Sequence, residues 1–181
     1  MNKKLKDYKI VQSSPSNTRA ITLFLRKSWL DSYVGIQPNV TSEWINSNFD
    51  RNMSEEKVNE HKKMYERYRN NPEQYFSKQV ISSEGELLGF INGSKDNGYQ
   101  ELLGLYVAQE QKGSDLAHEI MSQLNEWLDL SSDVTLWVAD GNARAISFYN
   151  KYGYEIIDGS QKPHKKDSPL TIVKMIRKGD K

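Results

Sequence analysis

Between Glu101 and Leu124 the sequence ELLGLYVAQEQKGSDLAHEIMSQL changes its hydrophobic period, and few folds accommodate the change. It opens as an apolar, β-prone run at Leu102, Leu103, Leu105, Tyr106 and Val107. It breaks in the polar turn AQEQKGSD and resumes at helical spacing with Leu116, Ile120, Leu124, Trp127 and Leu128. A strand that feeds a helix through a glycine-bearing turn leaves unpartnered N–H groups at the helix start. Those amides and the helix dipole favour an anion such as phosphate. An ordinary strand–turn–helix unit of an α/β core has the same pattern, so this stretch alone does not choose between the two.

The remaining elements place it in a mixed sheet. Tyr8–Gln12 reads as a first strand, ended by Ser13, Ser14 and Pro15. Asn17 is positioned to cap a helix with Ala20, Ile21, Phe24, Leu25 and Ser28 or Trp29 on one face, closed by Gly35 and Pro38. Thr41 or Ser42 caps a short helix through Phe49. Ser54, followed by Glu55 and Glu56, caps another with Val58, His61, Tyr65 and Tyr68 on one side. Residues 41–71 thus form a helical insertion before the next strand. Gln74–Ser82 and Glu86–Ser94 read as a hairpin about Glu84-Gly85, with a second turn at Asp96-Asn97-Gly98. Val134–Val138 is a short buried strand. Asn142–Tyr152 is a helix ended by Gly153, and Tyr154–Ile157 and Leu170–Ile176 are final strands joined by the polar loop DGSQKPHKKDSP. The order β, helices, β, β, β, α, β, α, β, β predicts an α/β fold with about seven strands in a mixed sheet and helices on both faces. No internal repeat or linker divides residues 1–181, so a single domain is expected.

Composition excludes several classes. The 181 residues carry a formal net charge of +1, against a dedicated nucleic-acid binder. There is no cysteine, which removes disulfides, zinc–thiolate sites and a thiol nucleophile. His61, His118 and His164 have no metal-ligand spacing, so no metal is expected. The basic start MNKKLKDYKIV is followed by no signal-peptide core, and no run reaches membrane-spanning length. A soluble, cytoplasmic protein without a membrane partner is the expectation.

A second stretch is more specific. Val134–Tyr154, VTLWVADGNARAISFYNKYGY, resembles the acetyl-CoA-binding half of the GNAT acetyltransferases. There a strand ending in Val is followed by N-x-x-A-x-x-F-Y and a G-F or G-Y. Here these are Val138, Asn142, Ala145, Phe148, Tyr149, Gly153 and Tyr154, with every spacing kept. An amphipathic helix packed in a core explains Phe148 and Gly153, but not Asn142, Ala145 and Tyr149 together. The resemblance implies the GNAT acyl-CoA N-acyltransferase fold, with residues 101–154 as its acetyl-CoA-binding core. It covers the chain from about Gln74 to Ile176. The insertion at 41–71 then falls on the acceptor side.

The same resemblance aligns the opening stretch with the family's pyrophosphate loop, Q/R-x-x-G-x-G/A. The loop falls on Lys112, Gly113, Ser114, Asp115, Leu116 and Ala117. Lys112 keeps the positive charge of the first position, and Ala117 is a permitted variant. Asp115 departs from the family's glycine. Its carboxylate repels a pyrophosphate unless it points away, so the amides of Gly113 through Ala117 are expected to line the site with weaker affinity for CoA.

In this family an amine attacks the thioester of acetyl-CoA directly, in a ternary complex. The protein positions the reactants, removes the amine's proton, stabilises the oxyanion and protonates the thiolate. By resemblance Tyr149 is the general acid, and Glu101 matches a glutamate general base of some members. The alternatives are a packed aromatic and a solvated strand-end carboxylate. The resemblance gives Val107 N–H as oxyanion donor at a bulge in the strand. Backbone groups of Leu105, Tyr106 and Val107 pair with the pantetheine arm, and Asn142 bonds that arm or caps its helix. Trp29, Tyr33 and Trp44 line the acceptor cleft or belong to the core. His164, in the basic run KPHKK, lies in a solvated loop or meets an acidic acceptor.

The function so implied is an N-acetyltransferase with acetyl-CoA as cosubstrate, acting on a primary amine of a small molecule or peptide, with a homodimer as the default assembly. Asp115 motivates a second reading, a GNAT-fold protein that binds acyl-CoA or a partner with little turnover. A nucleotide-binding α/β domain ranks last, because G-x-G-x-x-G and G-x-x-x-x-G-K-[ST] are both absent.

Overall fold

The computed structural model describes residues 7–96 and 98–180. The basic start as far as Lys6, and Asn97 of the predicted second turn, lie outside the described residues.

The alternation and turns of the sequence build an eight-stranded sheet in the order β1-β2-β3-β4-β5-β8-β6, with β7 also paired to β8. The strands are β1 (Tyr8–Gln12), β2 (Tyr75–Ser82), β3 (Leu87–Asp96), β4 (Tyr99–Val107), β5 (Val134–Ala139), β6 (Glu155–Ile156), β7 (Lys162–Pro163) and β8 (Thr171–Arg177). The helices are α1 (Thr18–Tyr33), α2 (Ser42–Asn52), α3 (Glu55–Asn70), α4 (Leu116–Trp127) and α5 (Ala143–Asn150). No helix among the described residues is long and apolar enough to cross a membrane.

Strand alternation sends side chains to two separate cores. Leu102 of β4, Val134, Leu136 and Val138 of β5 and Met175 of β8 pack against Leu116, Ile120 and Leu124 of α4 and Tyr149 of α5. On the opposite face Tyr75 and Phe90 meet α1 and α3 through Ile21, Phe24, Tyr65 and Tyr68. Farther along, Trp29, Ile45 and Phe49 of α1 and α2 cover Ala139 and Ile172.

The sheet divides between β4 and β5. These neighbours pair in parallel only from Gln100↔Val134 to Leu102↔Leu136. At that end the buried Gln100 is clamped to the loop after α4. Its amide donates to the Asp129 carbonyl at 2.7 Å and its oxygen accepts from the Asp129 N–H at 2.8 Å. Beyond it β4 bulges: Asn92 of β3 faces Gly104 and Gly93 faces Leu102, which leaves Leu103 as the extra residue. From there β4 follows β3, while β5 follows β8 to Ala139↔Ile172. Gln37, in the loop after α1, holds the far end of β5. Its amide donates to the carbonyls of Asp140 at 2.7 Å and Thr171 at 2.9 Å, and its oxygen accepts from the Thr171 N–H at 2.7 Å.

Several local expectations are revised. Asn17 makes no side-chain cap; a 3-10 turn at Pro15–Asn17 precedes α1, and Ser14 caps that turn instead. Ala20 is exposed, and Thr18 is buried with its hydroxyl donating to the Pro15 carbonyl at 2.7 Å. The α5 helix is shorter than Asn142–Tyr152, because Asn142 caps it and Gly153, at φ +81°, reverses the chain. Within the polar loop, β7 is an additional short strand. Lys162 of β7 sits over the Trp137 ring, 3.8 Å from its centroid, which fixes the loop onto the sheet.

Replacing Gln37 by Ala removes three hydrogen bonds at the junction of β5 and β8. We expect about 1–3 kcal/mol less unfolding free energy, read as a lower urea midpoint with an unchanged m-value. An unshifted midpoint contradicts the clamp.

Candidate active site

The parting of β4 and β5 opens a cleft of about 450 Å³. One wall is β4 from Leu103 to Val107, and the other is Trp137 and Val138 of β5. The floor is Ala145, Phe148 and Tyr149 of α5, and α1 closes the side with Ser28, Asp31, Ser32 and Tyr33. Hydrogen-bond alternation decides which β4 amides face it. Ala108 donates to Leu88 at 2.9 Å, so Tyr106 and Gly104 also turn their N–H groups toward β3. The N–H and C=O groups of Leu105 and Val107 therefore point into the cleft, where β5 no longer pairs with them. Leu103, the bulge residue, is 42% exposed although apolar, and it faces the same space.

One mouth of the cleft is cationic. Lys112 and Arg144 both line it, and the Lys112 ammonium approaches the Ser32 hydroxyl at 3.5 Å. Partial burial and then the Arg144 charge lower the Lys112 pKa, with Asp31 opposing. Arg144 was not singled out from the sequence, although it stands two residues after Asn142 in the second motif and its charge was a readable signal.

At the inner end three tyrosines meet across the sheet. Burial, with the neighbouring Tyr106 and Tyr154 phenols, pushes Tyr149 well above an ordinary phenol. Burial raises Tyr106 and Tyr33 as well. The Trp29 indole donates to the Tyr106 hydroxyl at 3.3 Å. The three phenols stay protonated at neutral pH.

Of the residues expected from sequence, Leu105, Tyr106, Val107, Lys112, Ala117, Asn142, Ala145, Phe148 and Tyr149 line the cleft. Gly113, Ser114, Asp115 and Leu116 do not. Two amides of that turn are committed within the chain. Ser114 N–H donates to Gln111, and Leu116 N–H to the Ser114 hydroxyl at 3.3 Å. Asp115 has ordinary helical dihedrals, φ −75° and ψ −4°, so the position does not need glycine's freedom. Its carboxylate acts on the Tyr8 phenol, whose pKa is pushed up to about 12, first by burial and then by its hydrogen bond to Glu119. Asn142 is an N-cap, accepting from Ala145 N–H at 3.2 Å, while also lining the cleft. The bulge falls at Leu103, four residues before Val107, and opposite it Gly93 lies so close to Leu124 of α4 and the Glu101 carbonyl that a Cβ there would clash.

A second cavity, of about 240 Å³, lies on the α1–α3 side and shares Leu103, Gly104 and Tyr106 with the first. Trp29 lines it, but Tyr33 and Trp44 do not. Glu101 lines neither cavity. Burial raises its pKa, against the charges of Lys174 and Lys162. His118 is exposed on α4, where its Nδ1 meets the Tyr152 hydroxyl at 2.7 Å. No group of three or more His, Asp or Glu that could hold a metal occurs among the described residues.

Comparison with known proteins matches this geometry. Residues 40–154 match the sequence model of the acetyltransferase (GNAT) family. No curated protein matches the chain. The structure is similar to that of PaiA N-acetyltransferase from Thermoplasma acidophilum in complex with coenzyme A. There the TM-score is 0.73 at 22% identity, over 95% of this chain and 99% of that one. It is also similar to the ribosomal-protein-S18-alanine N-acetyltransferase from Escherichia coli, with a TM-score of 0.58 at 14% identity, over 94% and 92%. A spermidine N-acetyltransferase chimera from Vibrio cholerae and hSSAT gives a TM-score of 0.60 at 13% identity, over 94% and 95%. At these identities the likenesses show the fold alone.

The cationic mouth predicts that Lys112→Ala and Arg144→Ala each weaken CoA binding by about tenfold, the scale of a charge-assisted phosphate contact. Affinity for pantetheine, which lacks the pyrophosphate, should hold. Calorimetric titration with both ligands checks this, and an equal loss for both contradicts the phosphate assignment.

Proposed function

The chain belongs to the acetyltransferase (GNAT) family, with acetyl-CoA as cosubstrate, and from that premise we propose that it acetylates a primary amine of a small molecule or peptide by direct attack in a ternary complex. The observation that carries this reading is the cleft between β4 and β5, with two free backbone amides inside and two cations at its mouth.

The residues fit the cosubstrate. An extended pantetheine arm replaces the missing β-strand partner, so the peptide groups of Leu105 and Val107 regain hydrogen bonds that β5 does not supply. Lys112 and Arg144 meet the pyrophosphate. Bound acetyl-CoA supplies an activated acetyl group. A cleft-facing N–H of Leu105 or Val107 donates to the oxyanion that develops on its carbonyl. The Tyr149 phenol, kept protonated by burial, donates to the departing sulfur.

The amine binds on the other side of the bulge, in the cavity built by α1, α2 and α3. It thus approaches the thioester across Leu103, Gly104 and Tyr106, which border both cavities. An amine with an ordinary pKa near ten, on the order of a lysine, arrives as an ammonium ion and must lose a proton. Glu101 stands on that face of the sheet, off the cavity lining, so it takes the proton through water. The reading as a binder without turnover rested on Asp115, and no observation now favours it, since that carboxylate lies off the cleft.

The test is a pH–rate study of CoA release with Tyr149→Phe and Glu101→Gln. Tyr149→Phe should lower kcat by about 10²-fold or more, with acetyl-CoA affinity nearly unchanged. Glu101→Gln should remove the acid limb of kcat/KM. Because burial raises the Glu101 pKa, that limb should lie above the ordinary carboxylate range. Full activity in Tyr149→Phe, or an unchanged acid limb in Glu101→Gln, removes the respective role.

A further inference from the structure

The second cavity has a charge pattern that discriminates among amines. Among the described residues, no aspartate or glutamate lines it. Besides the Tyr65 and Tyr106 phenols, its ionisable groups are His61 from α3 and His164 and Lys165 from the loop between β7 and β8. The neutral polar groups are Thr22, Asn48, Asn52 and Asn92, set among apolar and aromatic walls. Nearby carboxylates are engaged elsewhere. Asp50 pairs with Arg26 at 3.0 Å and Glu60 with Lys57 at 2.6 Å, while Glu101 faces Lys162 and Lys174. Burial and the neighbouring lysines depress the His164 pKa; burial likewise depresses that of His61, against the Glu60 charge. Lys165, exposed, is the one lysine or arginine that lines the cavity among the described residues.

A polyamine that places one nitrogen at the bulge and its chain in this cavity brings a second ammonium against a lining without a carboxylate, with Lys165 in it; Glu101, off the lining, is left to the reacting nitrogen. An anionic group on the acceptor meets the opposite balance, because Lys165 supplies the counter-charge and the histidines and asparagines supply donors. The volume, about 240 Å³, lies below the roughly 300–1,000 Å³ of drug-sized sites and suits a small acceptor.

We propose that the α1–α3 cavity selects small amines that carry a carboxylate and turns polyamines away, with Lys165 as the residue that sets the preference. The proposal rests on the acetyl-transfer reading only in taking this cavity as the acceptor's. Selection itself is an equilibrium property that binding reads without turnover.

The experiment titrates the protein–CoA complex by calorimetry with ε-aminocaproate, n-hexylamine and spermidine. The aminocarboxylate should bind at least about tenfold more tightly than spermidine. Lys165 is exposed, so its variants should fold. Lys165→Glu should invert the order, and Lys165→Met should flatten it. The proposal is overturned by spermidine binding tightest, by equal binding of the three, by no binding of the aminocarboxylate, or by an order that Lys165→Glu leaves in place. CoA release, followed separately, tests acetyl transfer. Its absence with the binding order intact removes the catalytic reading and leaves the selectivity standing.

Discussion

The site depends on two neighbouring strands that pair for three residues and then part. A sheet normally satisfies every interior peptide group, and an unpaired one is costly unless water or a ligand replaces the neighbour. Here the separation is held from several sides. The Gln100 side chain secures the paired end of β4. The bulge at Leu103 redirects β4 along β3, and Gln37 keeps β5 with β8. The opening is thus an outcome of the fold, and it leaves peptide groups of β4 unpaired along one edge.

Because the opening runs through the sheet, it joins two surfaces that side-chain alternation otherwise keeps apart. Tyr149 belongs to the core beneath α4 and α5, whereas Tyr106 belongs to the face covered by α1 and α3. The Tyr106 phenol still helps to raise the pKa of Tyr149. In the proposed reaction, a cosubstrate held from one side and an acceptor from the other would meet at the bulge. The first cleft is lined mainly by β4, β5, α5 and α1, and the second by α1, α2, α3, β3, β4 and the β7–β8 loop.

Much of this was legible in the sequence because it follows local rules. Gly153 ends α5, Thr41 and Ser54 cap α2 and α3, and the periods around Leu102 and Leu116 mark strand and helix. The cofactor half carried spaced residues, so nine of its expected positions, from Leu105 to Tyr149, fall on one cleft. What was not legible depends on register and long-range contact. The bulge at Leu103 is a matter of register between β3 and β4, and the close approach of Leu124 to Gly93 is a relation between β3 and α4; no local window contains either. The roles of Gln37 and Gln100 depend on partners that are remote in the chain. Asp115 departs from the family's glycine, yet its dihedrals are ordinary and it does not line the cleft. The second cavity has no sequence signature, because it is assembled from α1, α2, α3, two strands and a loop that share no spacing.

The central claim is that the parted strands hold acetyl-CoA through the free peptide groups of β4. Amide hydrogen exchange, resolved by residue in NMR spectra with and without saturating acetyl-CoA, tests it most directly. The account predicts that exchange at Leu105 and Val107 slows on binding, while Tyr106, whose amide is already paired with β3, is unchanged. Unaltered exchange at both Leu105 and Val107 in a protein with acetyl-CoA bound would contradict it.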